Sequence, residues 1–210
     1  MNAGVKAAMR EPGRTTVKRL EFFFDFGSPT TYLAHTQMPA LAQRTGAEIA
    51  YRPMLLGGVF KATGNQSPVT IPAKAKWMDR DLRDFARRYG VPYARNPWFP
   101  INTITLMRGA VAMQQQGRLA PYADAIFHAM WVEPQNMNDP QVVGAVLAKA
   151  GFDPKQMLAA IEDQAVKDTL RVNTEEAVSR GVFGAPTFFV GDKMFFGQDR
   201  LDFVEEELRS

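Results

Sequence analysis

The chain has 210 residues, 46% apolar and 22% charged, enough to bury a substantial core in one globular unit. A net charge of +3, with no block of like charges and no aromatic-laced basic stripe, argues against nucleic acid and suits small anionic ligands. No apolar run is long enough to span a bilayer and the first residues lack an apolar signal core, so a cytoplasmic location without membrane insertion is expected.

Residues 1–16, with Gly4, Pro12 and Gly13 and no periodicity, read as a loose tail. Leu20 to Phe26 is an apolar strand, Gly27 permits a bend, Ser28 is a favoured helix cap and Pro29 suits a first helical position. A helix follows over Tyr32 to Gly46. Ala47 to Met54 reads as a second strand, which a right-handed crossover would set parallel to the first. Helical spacing then dominates. Met78, Leu82, Phe85 and Tyr89 share a face before Gly90, Leu106, Ala110 and Met113 do so before Gly117, and Tyr122, Ile126 and Met130 repeat the pattern. Asp139-Pro140 and Asp153-Pro154 each open a helix, and another spans Ala165 to Arg180. Two short apolar strands joined by Gly191-Asp192 complete the chain before a last helix. Pro186 lacks an N–H for the ladder and so belongs at a strand's first residue, with a cis bond expected before it.

Ser28 and Thr31 stand at the spacing of a Cys-X-X-Cys pair, yet the chain has no cysteine and hydroxyls cannot exchange disulfides. A thiol, if one takes part, must come from a cofactor. Ser28 is either a helix cap alone or also the partner of an anion drawn to the open N–H groups and positive dipole end of its helix. The only histidines are His35 and His128, with no paired His or Cys spacing for a transition metal. His35 lies two turns along the helix from Ser28, which removes a Ser-His-Asp hydrolase.

Six motifs carry a resemblance that covers Lys18 to Leu208. They are Phe24-Asp25-Phe26-Gly27-Ser28-Pro29, Arg52-Pro53 followed by Leu55-Leu56-Gly57, Gly64-Asn65, Lys74 seven residues before Asp81, Asn96-Pro97-Trp98-Phe99-Pro100 with Asn102-Thr103, and the run from Gly181 to Arg200. In order and spacing the chain resembles the 2-hydroxychromene-2-carboxylate isomerases, bacterial members of a group that also contains the kappa-class glutathione transferases and, more distantly, the DsbA-like oxidoreductases. The resemblance implies an α/β, thioredoxin-like fold with an all-helical insertion domain: residues 17–56 and 181–210 form the thioredoxin-like part and 57–180 the insertion.

The resemblance also implies glutathione as cofactor, held in the cleft between the two parts. Ser28 would orient and stabilise its thiolate, and the backbone of Ala185, just before Pro186, would be free to pair with its cysteinyl residue. Gln198 and Asp199 would meet the γ-glutamyl end, and Asn65 and Lys74 the glycyl end. Trp98, Phe99 and Asn102 would form the pocket for a small aromatic substrate. Thr30 and Thr31 depart from the family, which more often has an aromatic residue followed by a small one. The implied reaction is the glutathione-dependent cis–trans isomerisation of 2-hydroxychromene-2-carboxylate, a step of naphthalene breakdown, in a homodimer. Two other readings stay open: a kappa-like glutathione transferase, and a non-catalytic thioredoxin-fold binding module. An isomerase restores free glutathione, a transferase consumes it, and a binding module does neither.

Overall fold

Four strands, β1 (Arg19–Phe24), β2 (Glu48–Pro53), β3 (Thr187–Val190) and β4 (Lys193–Phe196), form one sheet in the order β2-β1-β3-β4. The computed structural model describes residues 18–210, so the expected loose tail at 1–16 lies outside the described residues. β1 runs parallel to β2 and antiparallel to β3, with Phe22 opposite both Tyr51 and Phe188. β3 and β4 are a hairpin turned by Gly191-Asp192, with Gly191 at φ 59°. Helix α1 (Pro29–Thr45) connects β1 to β2. Between β2 and β3 lie α2 (Leu56–Thr63), α3 (Pro72–Tyr89), α4 (Ile104–Gln115), α5 (Leu119–Trp131), α6 (Pro140–Lys149), α7 (Pro154–Glu162) and α8 (Gln164–Ser179), and α9 (Leu201–Arg209) closes the chain. This is the thioredoxin-like sheet with a long helical insertion that the sequence implied. No helix among the described residues is long and apolar enough to cross a membrane.

β1 ends in three consecutive phenylalanines, Phe22 to Phe24, because both faces of the sheet are covered there. Phe22, Phe24 and Phe188 face a core that continues through α1, α4, α5 and α9, with the Phe22 and Phe188 rings stacked at 5.1 Å. Phe23 and Phe189 point the other way, onto Met54, Val59, Ala177 and Val182. Above that second face the guanidinium groups of Arg52 and Arg180 lie over the Phe23 ring and are paired with Glu21 and Glu176. The alternating charges fasten α8 to β1 and β2.

The sequence and the structure differ at three places near the site. β1 ends at Phe24, two residues short of the expected limit, because Asp25 turns inward to accept hydrogen bonds from the following loop. α1 starts at Pro29, where Ser28 as cap and Pro29 as first helical residue set it, three residues ahead of the span expected from Tyr32. α2 is unforeseen, because Gly57 and Gly58 each disfavour a helix by about 1 kcal/mol. Tertiary packing overrides that propensity: Val59 is fully buried, and a Cβ on Gly58 would meet the Thr174 methyl of α8 at 3.1 Å.

Candidate active site

The turn after β1 is held from three sides. Asp25 is 1% exposed, and its Oδ1 accepts the Gly27 N–H at 2.8 Å. Its Oδ2 accepts the Leu56 N–H at 2.8 Å and the Thr103 hydroxyl at 3.1 Å. Burial pushes the Asp25 carboxyl above its usual range, and the N–H groups of Leu56 and Gly27 with the Thr103 hydroxyl oppose that rise. The Phe26 carbonyl accepts the Trp131 indole N–H at 2.8 Å. A Cβ at Gly27 would crowd the Thr103 methyl at 3.2 Å and Asp25 Oδ1 at 3.3 Å, so glycine belongs there. Asp25 and Trp131 therefore fix the backbone that delivers Ser28.

Ser28 is extended (φ −101°, ψ 115°) and caps α1, its Oγ accepting the Thr31 N–H at 3.2 Å. The Thr30 N–H has no acceptor among the described residues, and the first turn contains no acidic residue. α1 thus presents an open donor and its positive end beside Ser28. The Ser28 hydroxyl lies 3.0 Å from the Ala185 carbonyl oxygen and 2.8 Å from the Thr30 hydroxyl, which is itself 3.1 Å from the same carbonyl. Ala185 precedes Pro186 across a cis bond, as expected. The expectation of a free Ala185 backbone needs correcting for its carbonyl. That oxygen is buried and finds its donors in two hydroxyls of the first turn of α1, whereas the Ala185 N–H has no acceptor among the described residues. Thr31 is fully buried, and its hydroxyl has no partner among the described residues.

The other sequence candidates fall around this corner at different distances. The Gly197 N–H donates to the Pro186 carbonyl at 3.0 Å, which brings Gln198 and Asp199 next to it. Gln198 is 5% exposed, and its backbone carbonyl accepts the Tyr89 hydroxyl at 2.7 Å, a phenol that burial pushes up to about 12. Asp199 is exposed and paired with Arg200 at 2.8 Å. Its charge adds to burial in raising the pKa of Asp81 on α3. Asn65 is exposed and donates to the Phe183 carbonyl at 2.8 Å, two residues before Ala185. Lys74 is exposed in the first turn of α3 and makes no ion pair or hydrogen bond among the described residues. It stands about 10 Å of helix rise before Asp81.

On the far side of Gly27, Asn96 pins the loop that leads into α4 by donating to the Met130 and Gln135 carbonyls, each at 3.1 Å, and accepting the Trp98 N–H at 2.9 Å. Phe99 packs on Trp131 at 5.7 Å between ring centroids, Trp98 is 46% exposed, and Asn102 turns its Oδ1 onto the Ile104 N–H at 3.1 Å. His35 is committed elsewhere, with Nδ1 3.0 Å from the Tyr51 hydroxyl and Nε2 2.8 Å from Asp124. Ser28, Ala185, Pro186, Gln198 and Asp199 are thus drawn to one corner with Asn65 beside it. Trp98, Phe99 and Asn102 join it through Thr103 and Trp131, and Lys74 along α3. The sequence reading passes over Asp25, Thr30 and Trp131. Asp25 carries a signal, a charge set between Phe24 and Phe26, but Thr30 and Trp131 find their partners 155 and 105 residues away.

The family model for the DSBA-like thioredoxin domain matches residues 19–209. The 2-hydroxychromene-2-carboxylate isomerase of Sphingobium xenophagum is 33% identical over 198 residues, covering 91% of this chain and 98% of its own. The chain belongs to the isomerase branch of the DSBA-like family. A solved structure of a 2-hydroxychromene-2-carboxylate isomerase superposes with a TM-score of 0.81 at 30% identity, covering 90% of this chain and 93% of that one. Glutathione S-transferase kappa 1 of Caenorhabditis elegans is 28% identical over 205 residues, covering 91% of each chain. Family membership thus extends over both the sheet and the inserted helices.

Proposed function

We propose that the protein is a cytoplasmic, glutathione-dependent isomerase that interconverts 2-hydroxychromene-2-carboxylate and trans-o-hydroxybenzylidenepyruvate in aromatic catabolism, acting as a homodimer. The observation that carries this reading is the buried Ser28 hydroxyl at the N-terminus of α1, beside the Ala185–Pro186 corner, in a chain without cysteine. The donor set suits glutathione. The Ser28 hydroxyl and the Thr30 N–H fit a thiolate, and the Ala185 N–H fits a peptide carbonyl, neither N–H having an acceptor among the described residues. The Lys74 ammonium fits a carboxylate, and Asp199 with Asp81 fits an ammonium.

When bound, glutathione supplies a thiolate that adds reversibly to a conjugated carbon, so that the former double bond turns before it re-forms as trans. The chain's part is to keep that sulfur ionised at neutral pH: helix N-termini lower thiol pKa values by one to several units from about 8.5. Ser28 contributes a hydrogen bond to the anion and is not itself the nucleophile. Trp98, Phe99 and Asn102 line the side from which the aromatic substrate approaches.

The test follows substrate absorbance and free thiol together. Isomerisation is expected only with added glutathione, with the thiol fully recovered, while S-methylglutathione binds without supporting turnover. Equal rates in thiol-free buffer would refute the reading. The kappa transferases among the relatives favour one alternative, consumption of glutathione by an electrophile, and steady loss of free thiol would establish it.

A further inference from the structure

Two hydroxyl protons serve three short contacts at the Ser28 corner: Ser28 to Thr30 at 2.8 Å, Ser28 to the Ala185 carbonyl at 3.0 Å, and Thr30 to that carbonyl at 3.1 Å. Ser28 Oγ also accepts the Thr31 N–H, so its single proton is the only donor it can offer to anything else. That proton is claimed by the carbonyl of Ala185, a residue 9% exposed whose oxygen takes no donor but the Ser28 and Thr30 hydroxyls among the described residues. Without the Thr30 hydroxyl, a serine that turned to a ligand would strand a buried acceptor, which opposes the turn.

We propose that Thr30 is a positioning residue that holds the Ala185 carbonyl in place of Ser28, releasing the Ser28 proton for a bound thiolate. The inference rests on the reading that a glutathione sulfur lies at Ser28. In the released arrangement the Thr30 hydroxyl donates to the Ala185 carbonyl, Ser28 donates to the sulfur, and Ser28 Oγ keeps the Thr31 N–H. The Ser28 and Thr30 hydroxyls and the Ala185 carbonyl each retain a partner. The S–H bond of the thiol breaks and its proton goes to solvent; no other covalent bond changes, Ser28 moves its proton from the carbonyl to the sulfur, and Thr30 keeps the carbonyl. Thr30 acts through Ser28, and its own hydroxyl touches the carbonyl and Ser28 but is not required to touch the ligand.

The test is the pH titration of the thiolate absorbance of bound glutathione in the wild type, Thr30→Val, Thr30→Ser, Ser28→Ala and the Thr30→Val/Ser28→Ala double variant, with binding established first by calorimetry. Valine keeps the shape of threonine and removes the hydroxyl. Thr30→Val is expected to raise the thiol pKa by about one unit, a tenfold loss of thiolate at a pH below both values, and Thr30→Ser to restore it. Ser28→Ala is expected to raise it at least as far, and the double variant no further than Ser28→Ala, because one residue acts through the other. If Thr30→Val titrates with the wild type while Ser28→Ala shifts, or if the two shifts add, the role given to Thr30 is wrong. If wild-type protein binds no glutathione, or leaves its thiol at the solution value, the glutathione reading itself fails and Thr30 loses its role with it. Circular dichroism of each variant separates these results from misfolding, and Thr30→Ala repeats the test if valine does not fit.

Discussion

Replacing Asp25 by Asn tests whether that carboxylate organises the turn. Its two oxygens accept three donors, the N–H groups of Gly27 and Leu56 at 2.8 Å each and the Thr103 hydroxyl at 3.1 Å. An amide offers one acceptor oxygen. In either orientation its NH2 faces a backbone N–H, and that buried donor is left without a partner, at a cost of about 1–3 kcal/mol. Taking about 2 kcal/mol, and 2–4 °C per kcal/mol for a chain of this size, the melting temperature should fall by roughly 4–8 °C. The pH dependence fixes the sign. Burial raises the folded pKa of Asp25 above 3.8, so the folded state holds this proton more tightly than the unfolded chain. The resulting stabilisation is complete below the unfolded value and is lost as pH rises through the folded one. Protonated Asp25 still accepts from Leu56 while donating to Thr103, an arrangement the amide cannot copy. The gap between wild type and Asp25→Asn should therefore be widest near pH 4 and narrow as pH rises through the raised pKa. Thermal melts by circular dichroism over pH 4–8 measure it, and equal melting temperatures throughout would refute the argument.

Two further expectations concern neighbouring residues. Lys74→Ala and Asp199→Ala should each weaken glutathione binding about tenfold, near the low end for charge-assisted contacts because both side chains are exposed, with unchanged melting curves. Unaltered calorimetry for both would place the tripeptide elsewhere. Thr31→Val should raise the melting temperature by roughly 2–4 °C, because it removes a fully buried hydroxyl that has no partner among the described residues, a gain of about 1 kcal/mol. A lower melting temperature would mean that the hydroxyl has a partner in solution.

The order of elements was legible in the sequence because its signals are local. The apolar run into Ser28-Pro29, the Asp-Pro helix starts and the Gly191-Asp192 hairpin are each decided by residues within a few positions of one another. The absence of cysteine likewise excludes a disulfide mechanism from composition alone. α2 was not legible, since its glycines speak against a helix and the packing of Val59 and Thr174 that overrides them comes from α8.

At the site the same division holds. Ser28 and Pro186 were identifiable as a cap and as the first residue of a strand, but that the Ser28 hydroxyl meets the carbonyl of Ala185 depends on the antiparallel pairing of β1 with β3 across most of the chain. The commitment of that carbonyl to Ser28 and Thr30, the three donors gathered on Asp25 and the indole hydrogen bond from Trp131 to Phe26 are likewise long-range. A sequence read locally shows which hydroxyls and carboxylates are available. Which acceptors they must satisfy is decided only when burial closes off water and leaves each polar group the partners that the fold has brought within reach.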